Sequence, residues 1–516
     1  MVRRDARVRA TGAAGYTEDI AVPGMLHAVL VPSPVASGRI VRVDTEDALA
    51  VEGCVRVLTA ADVPDRRYGN FLQDQPILAR DVVGFVGEPV AIVAATSRAA
   101  ARRAAAVVRV RIEPLPAAVD LAEALTGGAP RVHGGETNVL DACAIRRGDV
   151  ERALAQAHRV VTTRIESHRV HQAYLEPRAV LVEPTEDGIS VTMSTQQPFH
   201  IRAGLAELFE IPVGKVEVRV PAIGGGFGGK LHFGFAPQAT AMALATGRPV
   251  RLVCSRAEDM VTGAPRENSI VELKSAVDGD GRIRARRAEI LLDAGAYALD
   301  TPALVSMAAF YATGPYDIEA LDVSCRGVYT NTCPTGSFRG PTGPQLVYAV
   351  EAHMDEIADE LGVDRLELRR RNFVRRGQRG PTGELLRAKP AIEECLAIAE
   401  QRLDAFRRDR AADPGDGRLR GYGLACAWWS TLGTPSSATV EAHEDGSVTV
   451  STGGTEIGTG AVSTGVPALV ADELGLRLED VHLRSGSTRD APFESGSRGS
   501  RTQYSAGNAA LIAGRE

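Results

Sequence analysis

The stretch Ile223-Gly-Gly-Gly-Phe-Gly-Gly-Lys-Leu231 sets five glycines around Phe227, directly after the strand-like run Val216-Glu-Val-Arg-Val-Pro-Ala-Ile223. Glycine has no Cβ and accepts positive φ, so successive N–H groups can converge on a phosphate or on the oxygen ligands of a metal. The segment therefore points to a bulky anionic cofactor. Gly224 and Gly229-Lys230 also fit the start of a nucleotide-binding P-loop, but Leu231 stands where that motif needs a hydroxyl for magnesium, and Phe227 fills the cradle. A purely structural glycine turn is the plain alternative.

The rest of the chain fits a small-molecule partner. With 516 residues, 44% hydrophobic and 24% charged, it is long enough for several domains with real cores. A net charge of −6, with no long run of either sign, gives no electrostatic footprint for nucleic acid. No stretch approaches the length of an apolar membrane span, and the N-terminus does not read as a signal peptide, so a cytoplasmic chain is expected. The seven cysteines form no Cys-x-x-Cys pair, which argues against iron–sulfur or structural zinc sites within the chain. His168 and His171 read as satisfied side chains rather than zinc ligands.

The expected fold class is α+β. Residues 20–120 alternate short β-branched runs with an Ala/Arg-rich helix that Ser97 caps. A Gly/Ala/Pro-rich linker follows, and Asp149 caps the next helix. Leu346 to Leu361 reads as an amphipathic helix. Charged, turn-rich segments at Arg375 to Leu385 and Asp409 to Arg420 precede a third block, in which a helix is expected from Ala461 to Leu474. The divisions are 1–124, a linker at 125–147, 148–380, and 381–516.

The order of these motifs resembles the molybdopterin-binding large subunit of the xanthine dehydrogenase and aldehyde oxidase family. Thr11-Gly12, Pro23-Gly-Met-Leu-His27, Pro76-Ile-Leu-Ala79 and Val86-Gly-Glu-Pro-Val-Ala91 resemble that family's N-terminal hammerhead domain. The resemblance then implies mixed α/β molybdopterin-binding domains, the second of them present only in its N-terminal part. It implies a molybdenum ion on the dithiolene of molybdopterin, or of its cytosine dinucleotide, with no direct side-chain ligand to the metal. Gly225, Gly226, Phe227 and Gly228 would pack their backbone against this group, and Gln196 of Ser194-Thr-Gln196 would hydrogen-bond an oxygen ligand of the metal. Phe338-Arg339-Gly340 resembles the family turn whose arginine stands near the cofactor, and a planar guanidinium suits an anion or a developing oxyanion. Gln196 and Arg339 are thus the candidate catalytic residues. In Thr455-Glu-Ile-Gly458-Thr459-Gly460, Thr459 replaces the usual glutamine, and Gly499 and Ser500 stand as further backbone donors. Lys230 is expected to be a structural partner of the loop.

Purine-oxidising members carry a glutamate at the position of Leu231 and an arginine near Met307; an apolar pair here favours an aldehyde or an aromatic heterocycle as substrate. The resemblance implies hydroxylation with water as oxygen source, and electrons passed to an iron–sulfur small subunit and an FAD medium subunit. The family's base is a glutamate in a Gly-x-Gly-Glu turn, in a chain considerably longer than this one. Two readings follow: a separate C-terminal molybdenum-domain chain supplies it, or this is an inactive or truncated molybdopterin-binding homologue. Apolar surface near Ala506 to Ile512 is expected to be exposed if the chain stands alone.

Overall fold

The computed structural model describes residues 3–409, 417–419, 421–431 and 433–516. Most of the expected turn-rich segment from Asp409 to Arg420 lies outside them. The content is mixed α and β. A seven-stranded sheet runs in the order Val216–Arg219, Ile189–Met193, Ala179–Pro184, Val250–Val253, Leu26–Pro32, Pro89–Ala95, Cys54–Thr59. Leu26–Pro32 lies parallel to Val250–Val253, with Leu26 opposite Val250, so the first hundred residues and the second block share one sheet. The fully buried run Pro89–Ala95 explains why: seven apolar residues in succession need cover on both faces.

A five-stranded sheet carries the second core, in the order Arg159–Ser167, Ser269–Val277, Ile283–Gly295, Ala320–Tyr329, Val139–Arg147. Val139–Arg147 fell within the expected linker, yet it pairs antiparallel with Ala320–Tyr329. Its alternating inward side chains, Cys143 and Ile145 among them, pack partly buried against this core. Helix Gly343–Leu361 lies across the sheet as its spacing predicts, burying Leu346, Val350, Met354 and Ile357. Glu351 holds the far end together: its carboxylate accepts from Tyr316 Oη at 2.5 Å, Arg369 Nε at 2.9 Å and Cys426 N at 2.7 Å.

The helix caps read from sequence are present. Ser97 accepts from Ala100 N–H, and Asp149 from Arg152 N–H. In the third block the expected helix begins with a π-helical turn, Ala461–Gly465, and continues as Val466–Leu474. Helix Thr502–Arg515 buries Ala506 and Ala510 in the third core and exposes Tyr504 and Ile512, so only part of the surface near 506–512 is apolar and open. No helix among the described residues is long and apolar enough to cross a membrane.

Glu88 lies buried between the first and second blocks, accepting from Gly84 N–H and from the Tyr297 hydroxyl. It serves the interface between these blocks. Burial lifts its carboxyl to about 7 from 4.5, and burial likewise lifts Glu267 to about 7. A folded-state value above the unfolded one means that the contribution is complete below pH 4.5 and is lost as pH rises through 7. An amide reproduces the neutral carboxyl, its oxygen facing Gly84 N–H and its NH2 facing the Tyr297 oxygen. Glu88→Gln is therefore expected to melt within a degree or two of the unmodified protein near pH 5 and above it at pH 8.5, because about 3 kcal/mol of pH-dependent cost is removed. Parallel melting curves at both pH values check this.

Candidate functional site

The glycine loop and Gln196 emerge side by side because their strands are parallel neighbours, with Ile189 opposite Val216. Ligands in such sheets gather where parallel strands end at their carboxyl edge. Gly225 and Gly228 take positive φ, as does Phe227 at 52°. Gly228 N–H turns inward to Gln196 Oε1 at 3.0 Å, and Gly224 N–H to Glu176 Oε2 at 2.8 Å. The N–H groups of Gly225, Gly226 and Phe227 bond no other group among the described residues, which leaves three successive donors on one turn.

Lys230 does not enter the cradle. Its Nζ meets Glu176 Oε2 at 2.7 Å and lies 4.8 Å from the centre of the Tyr174 ring, with the side chain fully enclosed. Burial lowers the lysine from its usual value while Glu176 pulls it back up. The P-loop reading thus loses its lysine as well as its hydroxyl. Glu176 escaped the sequence reading; its only sequence signal is a lone carboxylate after the apolar pair Tyr174-Leu175.

Gln196 joins two parts of the site. Besides accepting from Gly228, its Nε2 donates to Ser497 O at 2.8 Å, and Ser497 N–H returns to Gln196 O at 2.9 Å. Ser497 also exchanges hydrogen bonds with the backbone of Thr455, at 3.2 Å to its N and 2.7 Å to its O. Arg339 N–H donates to Phe227 O at 2.8 Å, so the Phe338–Gly340 turn lies on the glycine loop. Arg266 fixes that turn, donating to Phe338 O at 2.7 Å and Arg339 O at 2.8 Å. The Arg339 guanidinium is exposed and pairs with no group among the described residues. The structure thus brings together the glycine loop, Gln196, Phe338–Gly340, Thr455–Gly460 and Gly496–Ser500.

Two donor sets differ in availability. Gly499 and Ser500 both take positive φ, and their N–H groups bond nothing among the described residues. In the Thr455–Gly460 turn, by contrast, Glu456 collects the N–H groups of Gly458, Gly460, Val462 and Ser463 at 2.7 to 3.2 Å. Burial raises its carboxyl, but these N–H groups outweigh burial and hold it below the usual range. Gly458 and Gly460 therefore shape the turn, and Thr459 presents its side chain from it. Glu456 was not singled out from sequence, although a carboxylate ahead of a Gly-x-Gly turn is a readable sign of such capping.

Leu231 and Met307 fall into different packing units. Leu231 is buried in the glycine loop, whereas Met307 sits on helix Thr301–Tyr311 against the second core. His171 is committed at both nitrogens, to Asp259 O at 3.1 Å and Ala173 N at 3.0 Å. No three His, Cys, Asp or Glu side chains gather as a metal site among the described residues.

These features place unbonded main-chain N–H groups at a seam between two blocks. The donor chemistry fits a pterin phosphate and its metal-oxygen face, and the cradle is one a Cβ would fill: at Gly226 it would meet Gln196 Oε1 at 2.5 Å, and at Gly228 it would strike Ser337 O. Residues 11–116 match the aldehyde oxidase and xanthine dehydrogenase a/b hammerhead domain, and residues 132–373 and 397–516 each match a molybdopterin cofactor-binding domain. The chain is 32% identical to a probable xanthine dehydrogenase subunit from Bacillus subtilis, over 97% of this chain and 67% of that one. It is 31% identical to a nicotinate dehydrogenase large molybdopterin subunit from Eubacterium barkeri, over 78% of this chain and 95% of that one. The aldehyde oxidoreductase from Desulfovibrio gigas superposes with a TM-score of 0.94 at 27% identity, over 99% of this chain and 58% of that one. The chain belongs to the molybdopterin-binding large subunits of the xanthine dehydrogenase and aldehyde oxidase family, a family of oxidoreductases. It spans between about half and two thirds of the length of the longer relatives it matches.

Proposed function

We propose that this chain is the major part of the molybdenum subunit of a hydroxylase that oxidises an aldehyde or an aromatic heterocycle and passes electrons to iron–sulfur and FAD partner subunits. The observation that carries the reading is the connected set Gly228–Gln196–Ser497–Thr455, which draws two free N–H arrays, at Gly225–Phe227 and Gly499–Ser500, toward one place. When bound, the molybdenum centre supplies a two-electron oxidation with water as the source of oxygen. Gly225, Gly226 and Phe227 would hold the cofactor by their backbone. Gln196 retains one N–H beyond its bond to Ser497, free to orient an oxygen at the metal. Arg339, unpaired and exposed, would balance negative charge that develops on the substrate.

Three carboxylates beside these loops each hold structural partners: Glu176 bonds Lys230 and Gly224, Glu456 its own turn, and Glu494 Arg501 and Gly496. We therefore give none of these three carboxylates the role of general base. Purification with co-expressed partner subunits, followed by metal and pterin analysis, tests the reading. Stoichiometric molybdenum and pterin with aldehyde-dependent dye reduction is expected. A complex free of both overturns it, and full loading without turnover would favour the inactive homologue.

A further inference from the structure

Three successive backbone carbonyls beside the exposed Arg339 guanidinium are each held by a side chain from far away in the chain. Ser337 O accepts from Gln172 Nε2 at 3.1 Å, and Phe338 O and Arg339 O both accept from Arg266 Nη2, at 2.7 and 2.8 Å. Asp300 Oδ2 takes the Ser337 N–H and hydroxyl, and Phe227 O takes the Arg339 N–H. The turn is thus pinned at each residue from 337 to 339.

Arg266 is the centre of this grip, and it is a buried cation without a carboxylate of its own. It is 7% exposed, its Cζ lies 4.8 Å from the centre of the Phe338 ring, and no Asp or Glu oxygen lies within ion-pair distance of it among the described residues. Paired backbone bonds with Val170, at 2.8 and 3.3 Å, fix its main chain. Its Nη1 donates to Gln345 Oε1 at 3.0 Å, and Nε2 of that same amide donates to Glu267 Oε1 at 2.9 Å and to Glu267 O at 3.3 Å. The Gln345 amide therefore turns its negative end to the guanidinium and its positive end to the carboxylate, joining the two charges through one rigid group. Burial pulls the Arg266 guanidinium down from its usual value, and the Glu267 charge opposes this.

Glu267 and Gln345 are themselves 1% and 4% exposed, and Glu267 Oε2 is enclosed without a partner. A buried charge network of this kind holds little net stability against apolar side chains of the same shape. Fully linked, it holds its members in one geometry. Here that geometry ends at the two carbonyls of the Arg339 turn.

We propose that Glu267 is a positioning residue: acting through Gln345 and Arg266, it sets the place of the Phe338–Gly340 turn and so of the Arg339 guanidinium. This rests on the function proposed above, in which Arg339 meets charge developing on the substrate. Misplacing such a group by about 1 Å costs up to about 100-fold in rate.

The test compares three variants at pH 8.5, above the value of about 7 to which burial lifts Glu267. Gln345→Leu cuts the link, Glu267→Gln keeps an acceptor for Gln345 but removes the charge, and Glu267→Gln/Gln345→Glu moves the carboxylate directly onto Arg266. In the first arm, hydrogen exchange of the amides at 337–340 is followed by mass spectrometry in the full chain. Exchange is expected to quicken about 10-fold in the two single variants and to return toward the unmodified rate in the transposed pair. In the second arm, kcat of the assembled, molybdenum-loaded enzyme is expected to fall about 10- to 100-fold in Gln345→Leu and less in Glu267→Gln, with KM within about 3-fold, and to recover in the transposed pair. A packing role would leave both isosteric variants like the unmodified protein, and that result overturns the proposal. So does a loaded enzyme whose kcat ignores all three changes, which leaves the function above standing. A complex without molybdenum overturns that function, while the exchange arm still decides whether Glu267 holds the turn.

Discussion

Gly228→Ala is expected to empty the cofactor cradle, with molybdenum and pterin in the purified complex falling about 10-fold or more. Gly228 has φ 102°, a region L side chains rarely adopt, and holding alanine there costs about 1–3 kcal/mol. The added methyl would also run into the Ser337 carbonyl, with its carbon at 2.8 Å. Both obstacles are backbone, so neither can swing aside. The loop must lift, and lifting breaks Gly228 N–H to Gln196 and Arg339 N–H to Phe227 together. Gly226→Ala is the control: its methyl meets Gln196 Oε1, the end of a flexible side chain, and φ is not positive there. It should retain most of the cofactor while disturbing the orientation of Gln196. Metal and pterin analysis of both variants, alongside circular dichroism to show retained folding, decides the matter. Equal loading in the two variants would sink the claim that the Gly228 backbone is the critical contact.

Much of this site was legible in the sequence because its chemistry lies in backbone geometry, and glycine spells out backbone geometry. The runs at 224–229, 458–460 and 496–499 announce where N–H groups can converge, and the structure draws these segments together. What escaped was the support. Glu176, Glu456 and Ser497 are ordinary polar residues whose roles depend on partners 54, 4 and 301 positions away, respectively Lys230, Gly460 and Gln196. No local pattern encodes the two long-range pairings, and only the Glu456 turn left a local sign. The extent of the expected linker was misread for the same reason. The Gly/Ala/Pro-rich start of the segment 125–147 made all of it read as a linker, but Val139–Arg147 alternates as an edge strand, and only its pairing with Ala320–Tyr329 reveals this. Likewise, the parallel pairing of Leu26–Pro32 with Val250–Val253 joins two blocks that composition separates.

The second large effect is expected at Glu176, and a double-mutant cycle separates its two duties. Lys230 is fully enclosed and Glu176 nearly so, and the pair meets at 2.7 Å. Glu176→Leu leaves an ammonium buried without a counter-ion and strips the acceptor from Gly224 N–H, so a loss of about 3–5 kcal/mol is expected. The glycine loop, anchored at its first glycine by that carboxylate, should loosen, and cofactor loading should fall with stability. Lys230→Met removes the cation but leaves Glu176 bonded to Gly224; its cost should be smaller, because the carboxylate can be neutralised by taking up a proton. The double variant Glu176→Leu/Lys230→Met removes both charges and restores apolar packing, against which a buried ion pair holds little net advantage. Its deficit should therefore shrink to about 1–2 kcal/mol, the cost of one unsatisfied backbone N–H. Urea unfolding of the three variants measures each term. Strict additivity of the single effects would mean that the two side chains act independently and that something other than this pair holds the loop closed.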